Sequence, residues 1–279
     1  MKSEIFKQNL RIARDNMKYS GAVFFDYDGT LSDEAAGIYF PTEATLNSVS
    51  ILKEKGFFVC LATGRAKCYS PACGIEFDGY VTSNGAYAEL DGKAVQSVTF
   101  PEFLLDEVME YFEREGIYYS AETQKRSYAR DVNEKSFRDM IDNFNIPAEI
   151  FDPISEIDKS GIAKILFAYP SEDVFLKIKN RFECRLKLDK HRFFPSADAG
   201  IFRVTKATGV SALLKELNVP FENTYAFGDG TNDIEMMKEV KHSVAMGISA
   251  EKLKNISETV TESVENEGIT RALEGYGLV

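Results

Sequence analysis

Residues 21–30 read GAVFFDYDGT, an apolar run that leads directly into two acidic residues and a turn. The run predicts a fully buried strand, because it lies between a glycine and a turn signal. Asp26 and Asp28 are separated by one residue, so both carboxylates of an extended segment point to the same side. Taken alone, these residues are also typical of a simple Asp-Gly turn. The surrounding sequence decides between the two interpretations.

The sequence that follows predicts a strand, a helix and a second strand. Residues 41–55 have proline and glutamate near their start, apolar residues on one side, and Gly56 directly after them, as expected of a helix and its end. Residues 57–62 read FFVCLA, a second buried strand, and TGR follows. Strands joined through a helix in this way are parallel, and the functional residues of such sheets follow their carboxyl ends.

A second acidic cluster lies near the other end of the chain. Residues 228–233 read GDGTND, after the apolar run YAF and before a helix-like stretch. Four carboxylates in one crevice need a cation, and oxygen ligands that act together with a substrate phosphate suit Mg²⁺. The sequence therefore predicts a magnesium site that is built from Asp26, Asp28, Asp229 and Asp233.

Three further residues extend this prediction to phosphate binding. Thr63 and Gly64 follow the second strand, where a hydroxyl and backbone N–H groups can hold a phosphate oxygen. Lys206 lies between a strand-like run and the next helix. One ammonium there offsets the carboxylates and neutralises charge on a phosphoryl group. We therefore expect a phosphoryl group to bind beside the magnesium site.

The composition argues against several classes of protein. The 279 residues carry 33 Lys and Arg against 44 Asp and Glu, a net charge of −11, which repels nucleic acid. The longest uncharged apolar stretch, about residues 56–62, is too short to cross a bilayer, and residues 1–20 lack the pattern of a secretory signal. We expect a cytoplasmic protein with no nucleic-acid or membrane partner. Its four cysteines form no CxxC pair and are expected to be reduced thiols.

The two ends of the chain share one pattern, and the middle has another. Residues 1–84 and 191–279 contain strands that end in Gly and Asp turns, which predicts a doubly wound, Rossmann-like parallel sheet. Residues 85–190 mix alternating strands with amphipathic helices, which predicts an inserted α+β cap, or lid, domain. The expected fold class is α/β with this insertion, and residues 1–19 add one amphipathic helix.

The predicted cap contains basic and aromatic residues that suit contact with an anionic or planar leaving group. A solvated charged face with buried tyrosines is the alternative interpretation of the same residues. The candidates are Lys125, Arg126, Arg130, Tyr118, Tyr119 and Tyr128.

The order of these motifs resembles the haloacid dehalogenase-like superfamily of aspartyl-phosphate hydrolases. The motifs are DxDGT, then TGR after a strand, then a lysine before a helix, then GDGxND. The position of the insertion, the TSNGAY and KATG segments, and the C-terminal GDGTNDIEMM and HSVAMGISAEKL resemble the Cof-type sugar phosphatases with a type IIB cap. The resemblance covers essentially the whole chain.

The resemblance implies a role for each motif residue. Asp26 attacks phosphorus and becomes an aspartyl phosphate, and Asp28 protonates the leaving oxygen, activates the hydrolytic water and touches Mg²⁺ through its backbone carbonyl. Asp229 and Asp233 hold the metal, and Asn232 joins the phosphate-binding residues Thr63, Gly64 and Lys206. Tyr27 departs from the aliphatic residue that is usual between the two acids.

The implied function is Mg²⁺-dependent hydrolysis of small phosphate monoesters, either sugar phosphates or phosphorylated cofactors. One alternative is a phosphotransferase or phosphomutase that passes the phosphoryl group to a sugar hydroxyl. A second alternative is a phospho-accepting regulatory module, although such modules lack an inserted domain. We expect a small phosphorylated metabolite as the partner, and a monomer or a homodimer.

Overall fold

The computed structural model describes residues 18–191 and 194–279, and two β-sheets form within these ranges. The helix that we predict over residues 1–19 lies outside the described residues except for its last two positions. The described α-helices are Glu43–Glu54 (α1), Glu102–Glu115 (α2), Lys135–Asn143 (α3), Glu172–Phe182 (α4), Lys206–Leu217 (α5), Ile234–Met237 (α6), Glu251–Lys254 (α7) and Gly268–Gly275 (α8).

The first sheet is mostly parallel and has eight strands in the described part of the chain. In chain order they are Gly21–Phe25 (β1), Phe57–Ala62 (β2), Gly79–Thr82 (β3), Tyr87–Leu90 (β4), Lys93–Ser97 (β5), Thr224–Gly228 (β12), His242–Ala245 (β13) and Thr259–Val260 (β14). Their spatial order is β14-β13-β12-β1-β2-β3-β4-β5, and only the β3-β4 and β4-β5 pairs are antiparallel. This is the expected doubly wound α/β core.

The second sheet belongs to the inserted segment and has six strands among the described residues. They are Tyr118–Glu122 (β6), Ser127–Ala129 (β7), Phe151–Pro153 (β8), Lys164–Ala168 (β9), Leu186–Lys190 (β10) and Ser196–Ile201 (β11). The spatial order is β10-β11-β9-β6-β7-β8, and the pairs are antiparallel except for β7 with β8.

Sheet membership differs from the predicted boundaries at 84/85 and 190/191. β4 and β5 extend the first sheet as a hairpin, because the Asp91-Gly92 turn adopts positive φ angles and reverses the chain. β11 pairs with β9 and β10 in the second sheet, although it follows residue 190. The elements of the cap therefore run from Glu102 to Ile201.

Both faces of the first sheet are buried, as the continuous apolar strands predict. Phe25 and Leu61 pack with α1 and α8 on one face, and Phe24 and Cys60 pack with α5, α6 and α7 on the other. α1 begins after Thr42, whose side chain accepts a hydrogen bond from the Thr45 N–H. Because helices cover both faces of this sheet, a functional site is expected at the ends of its strands.

The cap sheet has one apolar face and one mixed face. Ile165 and Phe167 of β9 pack under α2 and α4. The alternate residues of the same strand, Lys164 and Leu166, point to the opposite face, which lies toward the first sheet. The cap therefore presents both polar and apolar side chains of its sheet to the core. In the described ranges, no helix combines the length and apolar character that crossing a membrane needs.

Candidate active site

Three adjacent parallel strands bring the motif segments to one edge of the first sheet. β1 lies between β12 and β2, and Phe25 is in register with Phe227 on one side and Leu61 on the other. Asp26 therefore follows β1 between the GDGTND segment, which follows β12, and Thr63, which follows β2. The topology brings both acidic clusters and the TGR segment together.

Lys206 lies between two of the carboxylates. Its Nζ donates to Asp26 Oδ1 at 2.5 Å and to Asp233 Oδ1 at 2.7 Å, and its side chain is fully buried. Burial disfavours the ammonium, but Asp233 and Asp26 outweigh burial and raise the pKa of Lys206 above its usual value. Lys206 is thus a fixed positive charge at the first residue of α5.

Asp26, Asp229 and Asp233 form a group of carboxylates that fits a cation. One oxygen from each lies within 4.8 Å of the others. Burial and the nearby Asp233 raise the pKa of Asp26 well above its usual value despite Lys206. A second positive charge would favour the ionised form of Asp26, and an all-oxygen ligand set suits Mg²⁺. The side chain of Asp28 lies outside this group.

Glycine lets the two acidic clusters approach each other. Gly29 of the first cluster has a φ of 84°, and a Cβ atom there would lie 2.4 Å from Asp229 Cγ. In the second cluster, Asp233 Oδ2 accepts hydrogen bonds from the N–H groups of Asp229 at 3.1 Å and Gly230 at 2.9 Å. Any side chain at position 29 would separate the clusters or strain the turn.

Asp28 is held by Arg65, the arginine of the TGR segment. Arg65 Nε donates to Asp28 Oδ2 at 3.0 Å, and its Nη2 pairs with Oδ1. Burial alone would raise the pKa of Asp28, but Arg65 outweighs burial and lowers it. The guanidinium also lies 5.3 Å from the centre of the Tyr27 ring. In this arrangement Asp28 is a carboxylate.

Glu34 adds a further acid beside this pair. Its Oε1 lies 3.4 Å from Arg65 Nη2. Burial and the charge of Asp28 raise the pKa of Glu34 to about 7. Arg65 therefore has two acidic neighbours.

The site opens into a cleft of about 900 Å³ between the two sheets. Asp26, Asp28, Gly64 and Asn232 line it from the core. The cap lines it with charged, polar and apolar side chains, among them Asn143, Phe144, Lys164, Leu166, His191 and Asp198. The cleft therefore joins the predicted phosphate site to a chemically mixed cap surface.

Three of the four predicted phosphate-binding residues lie around Asn84 of the TSNGAY segment. Thr63 is fully buried, and its Oγ1 accepts a hydrogen bond from the Arg65 N–H at 3.1 Å. A Cβ atom at Gly64 would lie 3.1 Å from Asn84 Oδ1. Asn232 Nδ2 donates to that same oxygen at 3.1 Å. Gly64 and Asn232 reach the cleft, and Thr63 lies behind them.

The six candidate cap residues lie away from this cleft in the structure. Arg126 pairs with Asp152 at 2.7 Å, and Arg130 pairs with Glu113 at 2.9 Å. Tyr119 is buried in the cap core. None of the six is among the described residues that line the cleft, which are contributed by other cap elements. The sequence pattern did not identify the cleft surface of the cap.

Sequence reasoning also missed several core and cap residues of the site. Arg65 is part of the TGR motif, but its contact with Asp28 depends on side-chain directions that the spacing of residues in the sequence does not give. Asn84 contacts Asp198 across 114 positions of sequence. An isolated asparagine before a glycine is typical of a turn, so the sequence carries no signal for this contact.

Comparison with known proteins identifies the family. The model of the haloacid dehalogenase-like hydrolases matches residues 23–273, so the chain belongs to this family. A Streptococcus pyogenes protein, whose name joins a phosphatase with a peptidyl-prolyl cis-trans isomerase, is 28% identical over 260 residues; the match covers 92% of this chain and 54% of that protein. This chain thus spans about half the length of that relative.

Two further relatives match over nearly their whole length. The 5-amino-6-(5-phospho-D-ribitylamino)uracil phosphatase YitU of Bacillus subtilis is 25% identical over 268 residues, which cover 91% of this chain and 96% of YitU. The solved structure of the subclass IIB sugar phosphatase BT4131 is 23% identical, with a TM-score of 0.80 over 93% of this chain and all of that chain. The expected Cof-type family, fold class and phosphoric monoester hydrolase class are confirmed.

Proposed function

We propose that this chain is a Mg²⁺-dependent phosphatase that hydrolyses small phosphate monoesters through an aspartyl phosphate on Asp26. The observation that supports the proposal most directly is the position of Asp26, at the end of a central strand and 2.5 Å from the Lys206 ammonium. The ammonium keeps one oxygen of Asp26 fixed beside the cleft. A carboxylate held in this way is oriented to attack a phosphorus atom.

The magnesium ion would be held by Asp26, Asp229 and Asp233, and by the backbone carbonyl of Asp28. Three carboxylate oxygens within 4.8 Å support this assignment. When bound, Mg²⁺ neutralises charge on the transferring phosphoryl group.

In the first step, an oxygen of Asp26 bonds to phosphorus while the bond from phosphorus to the leaving alcohol oxygen breaks. Asp28 gives its proton to that leaving oxygen. Because Arg65 favours the carboxylate form of Asp28, protonation of Asp28 has to loosen their contact before this step. Lys206, the Gly64 N–H and Asn232 stabilise the charge on the phosphoryl oxygens.

In the second step, water attacks phosphorus and the bond from phosphorus to Asp26 breaks. Asp28, now a carboxylate, takes a proton from the attacking water. Inorganic phosphate leaves, Asp26 is regenerated, and Asp28 carries the proton that the next cycle requires. The contact with Arg65 favours the carboxylate form that this second step uses.

The substrate that we propose is a small phosphorylated metabolite. A cleft of about 900 Å³ accommodates a leaving group of that size. The acidic chain disfavours polyanions, whereas a metal ion with Lys206 and Arg65 concentrates positive potential at the cleft. The names of relatives such as YitU, which is a phosphatase of a ribityl phosphate, agree with this class.

The proposal is tested by measuring phosphate release with Mg²⁺ over sugar phosphates, nucleotides, pyridoxal phosphate and flavin mononucleotide. Asp26→Asn should lower turnover by at least about 1,000-fold, because an amide is a poor nucleophile. The exposed Asp158→Asn is the matched control and should be fully active. Wild type that is quenched with acid during turnover of a phosphate-labelled ester should carry the label on Asp26. Turnover that survives in Asp26→Asn rejects this mechanism.

A further inference from the structure

A row of hydrogen bonds connects the Asn232 amide with the cap sheet. Asn232 Nδ2 donates to Asn84 Oδ1 at 3.1 Å, and Asn84 Nδ2 donates to Asp198 Oδ2 at 3.0 Å. The other oxygen of Asp198 accepts from Lys164 Nζ at 2.9 Å. Asn232 and Asn84 belong to the core, whereas Asp198 and Lys164 belong to β11 and β9 of the cap. The row therefore crosses the boundary between the two sheets.

Asp198 gives this row a direction. Burial alone would raise its pKa, but Lys164 and His191 outweigh burial and lower the pKa of Asp198 to about 2. An ionised carboxylate only accepts hydrogen bonds. Asn84 must therefore turn its NH₂ group toward Asp198, which leaves its carbonyl oxygen facing Asn232.

The same logic fixes the second amide. Because the Asn84 oxygen only accepts, Asn232 must turn its own NH₂ group toward it. An amide NH₂ has two hydrogens, so one binds Asn84 and the other remains for an acceptor in the cleft. A reversed Asn232 amide would present its carbonyl oxygen there and would repel a phosphoryl oxygen.

The backbone holds Asn84 in place for this role. Ser83 and Asn84 both have a φ of 51° although they are buried, and such angles are uncommon for residues other than glycine. The Asn84 N–H donates to the Thr63 carbonyl at 3.2 Å. A Cβ atom at Gly85 would lie only 1.8 Å from the Thr205 carbonyl oxygen. Asn84 is thus held between the TGR segment and the start of α5.

We propose that Asp198 of the cap is a positioning residue that, through Asn84, orients the Asn232 amide as a donor for the substrate phosphate. The proposal rests on the phosphatase function proposed above. It couples the docking of the cap to phosphate binding in the core, because the acceptor that sets the direction of the row is carried by the cap sheet.

The test compares two substitutions of an acid by its amide next to the same lysine. Lys164 Nζ also lies 3.1 Å from Glu122 Oε2, and Glu122 is buried like Asp198 but makes no hydrogen bond with Asn84 among the described residues. Asp198→Asn removes a negative charge and the fixed direction of the row. Glu122→Gln removes a negative charge from the same cluster and leaves the row intact.

Binding of inorganic phosphate to the full chain with Mg²⁺ is measured by calorimetry, together with kcat and KM. Asp198→Asn should weaken phosphate binding about tenfold, the usual effect of losing a hydrogen bond to a charged group. Glu122→Gln should change the affinity for phosphate by less than about twofold, even where it lowers thermal stability. Equal effects of both substitutions, or none of either, overturn the proposal.

Asn84→Gly supplies a second test, because glycine accepts the positive φ and removes only the side chain. It should weaken phosphate binding as Asp198→Asn does, and the double variant should bind no more weakly than either single variant, since both break one row. Additive losses overturn the proposal. Failure of the phosphatase function is recognised separately, as wild type that hydrolyses no ester or as an Asp26→Asn variant that remains active.

Discussion

Arg65 contacts both carboxylate oxygens of Asp28, with Nε 3.0 Å from Oδ2 and Nη2 on Oδ1. The two-point contact fixes the plane of the carboxylate as well as its position, which an ammonium cannot do. The acid that we assign to proton transfer is thereby oriented by a residue of the neighbouring strand end.

Arg65→Lys should therefore lower kcat by about 10- to 100-fold while KM changes less, because the lysine keeps a charge but loses the orientation of Asp28. Steady-state kinetics with the best ester from the substrate screen measure this split. Arg114→Lys, at an exposed position of α2, is the control. An unchanged kcat in Arg65→Lys would show that Asp28 does not depend on the contact.

Lys206→Met should lower both stability and activity, because it leaves buried carboxylates without their cation. We expect the free energy of unfolding to fall by about 3 kcal/mol in the presence of a chelator, and kcat/KM to fall by at least about 100-fold. Urea denaturation with and without Mg²⁺ tests the first effect. Lys215→Met lies at an exposed position of the same helix and should change neither. A stable and active Lys206→Met variant contradicts our assignment.

Removal of divalent metal should abolish hydrolysis, and Ca²⁺ should inhibit, because the larger ion takes more ligands than an in-line reaction tolerates. Mg²⁺ should also raise the thermal midpoint of wild type, since it binds the folded chain. Asp229→Asn should lose most of this increase, whereas the exposed Asp158→Asn should keep it. Full activity in excess chelator would exclude the magnesium assignment.

Asp198 should make folding sensitive to acid. Its pKa of about 2 lies below the value of about 3.9 for an unfolded aspartate, so its stabilisation is complete above pH 4 and is lost as the pH falls through 2. Between pH 5 and pH 2.5, wild type should lose about 1 to 2 kcal/mol more unfolding free energy than Asp198→Asn. The charged or titratable neighbours of position 198 are the same in both proteins, namely Lys164, His191, Glu122, Asp189 and Tyr69.

Urea denaturation at the two pH values gives this difference. Asp139→Asn, which changes an exposed carboxylate of α3, should follow wild type. Parallel acid profiles for wild type and Asp198→Asn would mean that the carboxylate is not stabilised by its neighbours.

Substrate preference should depend on the cap residues that line the cleft. Phe144 lies there, with its ring centre 4.8 Å from that of His191. Phe144→Ala should lower kcat/KM about tenfold for esters with a planar leaving group relative to sugar phosphates. Lys125→Ala, Arg126→Ala and Tyr128→Phe should leave the order of substrates unchanged. If these three reorder the panel and Phe144→Ala does not, the cleft is not the specificity surface.

The residues of the core site were predictable because they follow the ends of parallel strands. Asp26 after β1 and Asp229 after β12 are local features of apolar runs, and the rule that such ends share one edge brings them together. The contact of Asn84 with Asp198 depends on how the cap sheet meets the core. No local pattern encodes that arrangement, so the positions of cap residues such as Phe144 had to come from the structure.

Sheet pairing departs from the predicted domain boundary near residue 85 for a related reason. The pattern of apolar and turn residues changes where the parallel strands end, but β4 and β5 continue the same sheet as antiparallel strands. An antiparallel hairpin at the edge of a parallel sheet has the same alternating pattern as an inserted α+β domain. Only hydrogen-bonded pairing assigns Tyr87–Leu90 and Lys93–Ser97 to the core.

The order of strands in the first sheet also has a consequence for biosynthesis. β1 pairs with β2 on one side and with β12 on the other, and β12 begins about 200 residues later, at Thr224. During translation, the β12-facing edge of β1 therefore waits until the whole cap has been synthesised. The cap can fold on the ribosome before the strand that carries Asp26 acquires its second neighbour. Catalytic competence should thus be among the last properties that the nascent chain acquires.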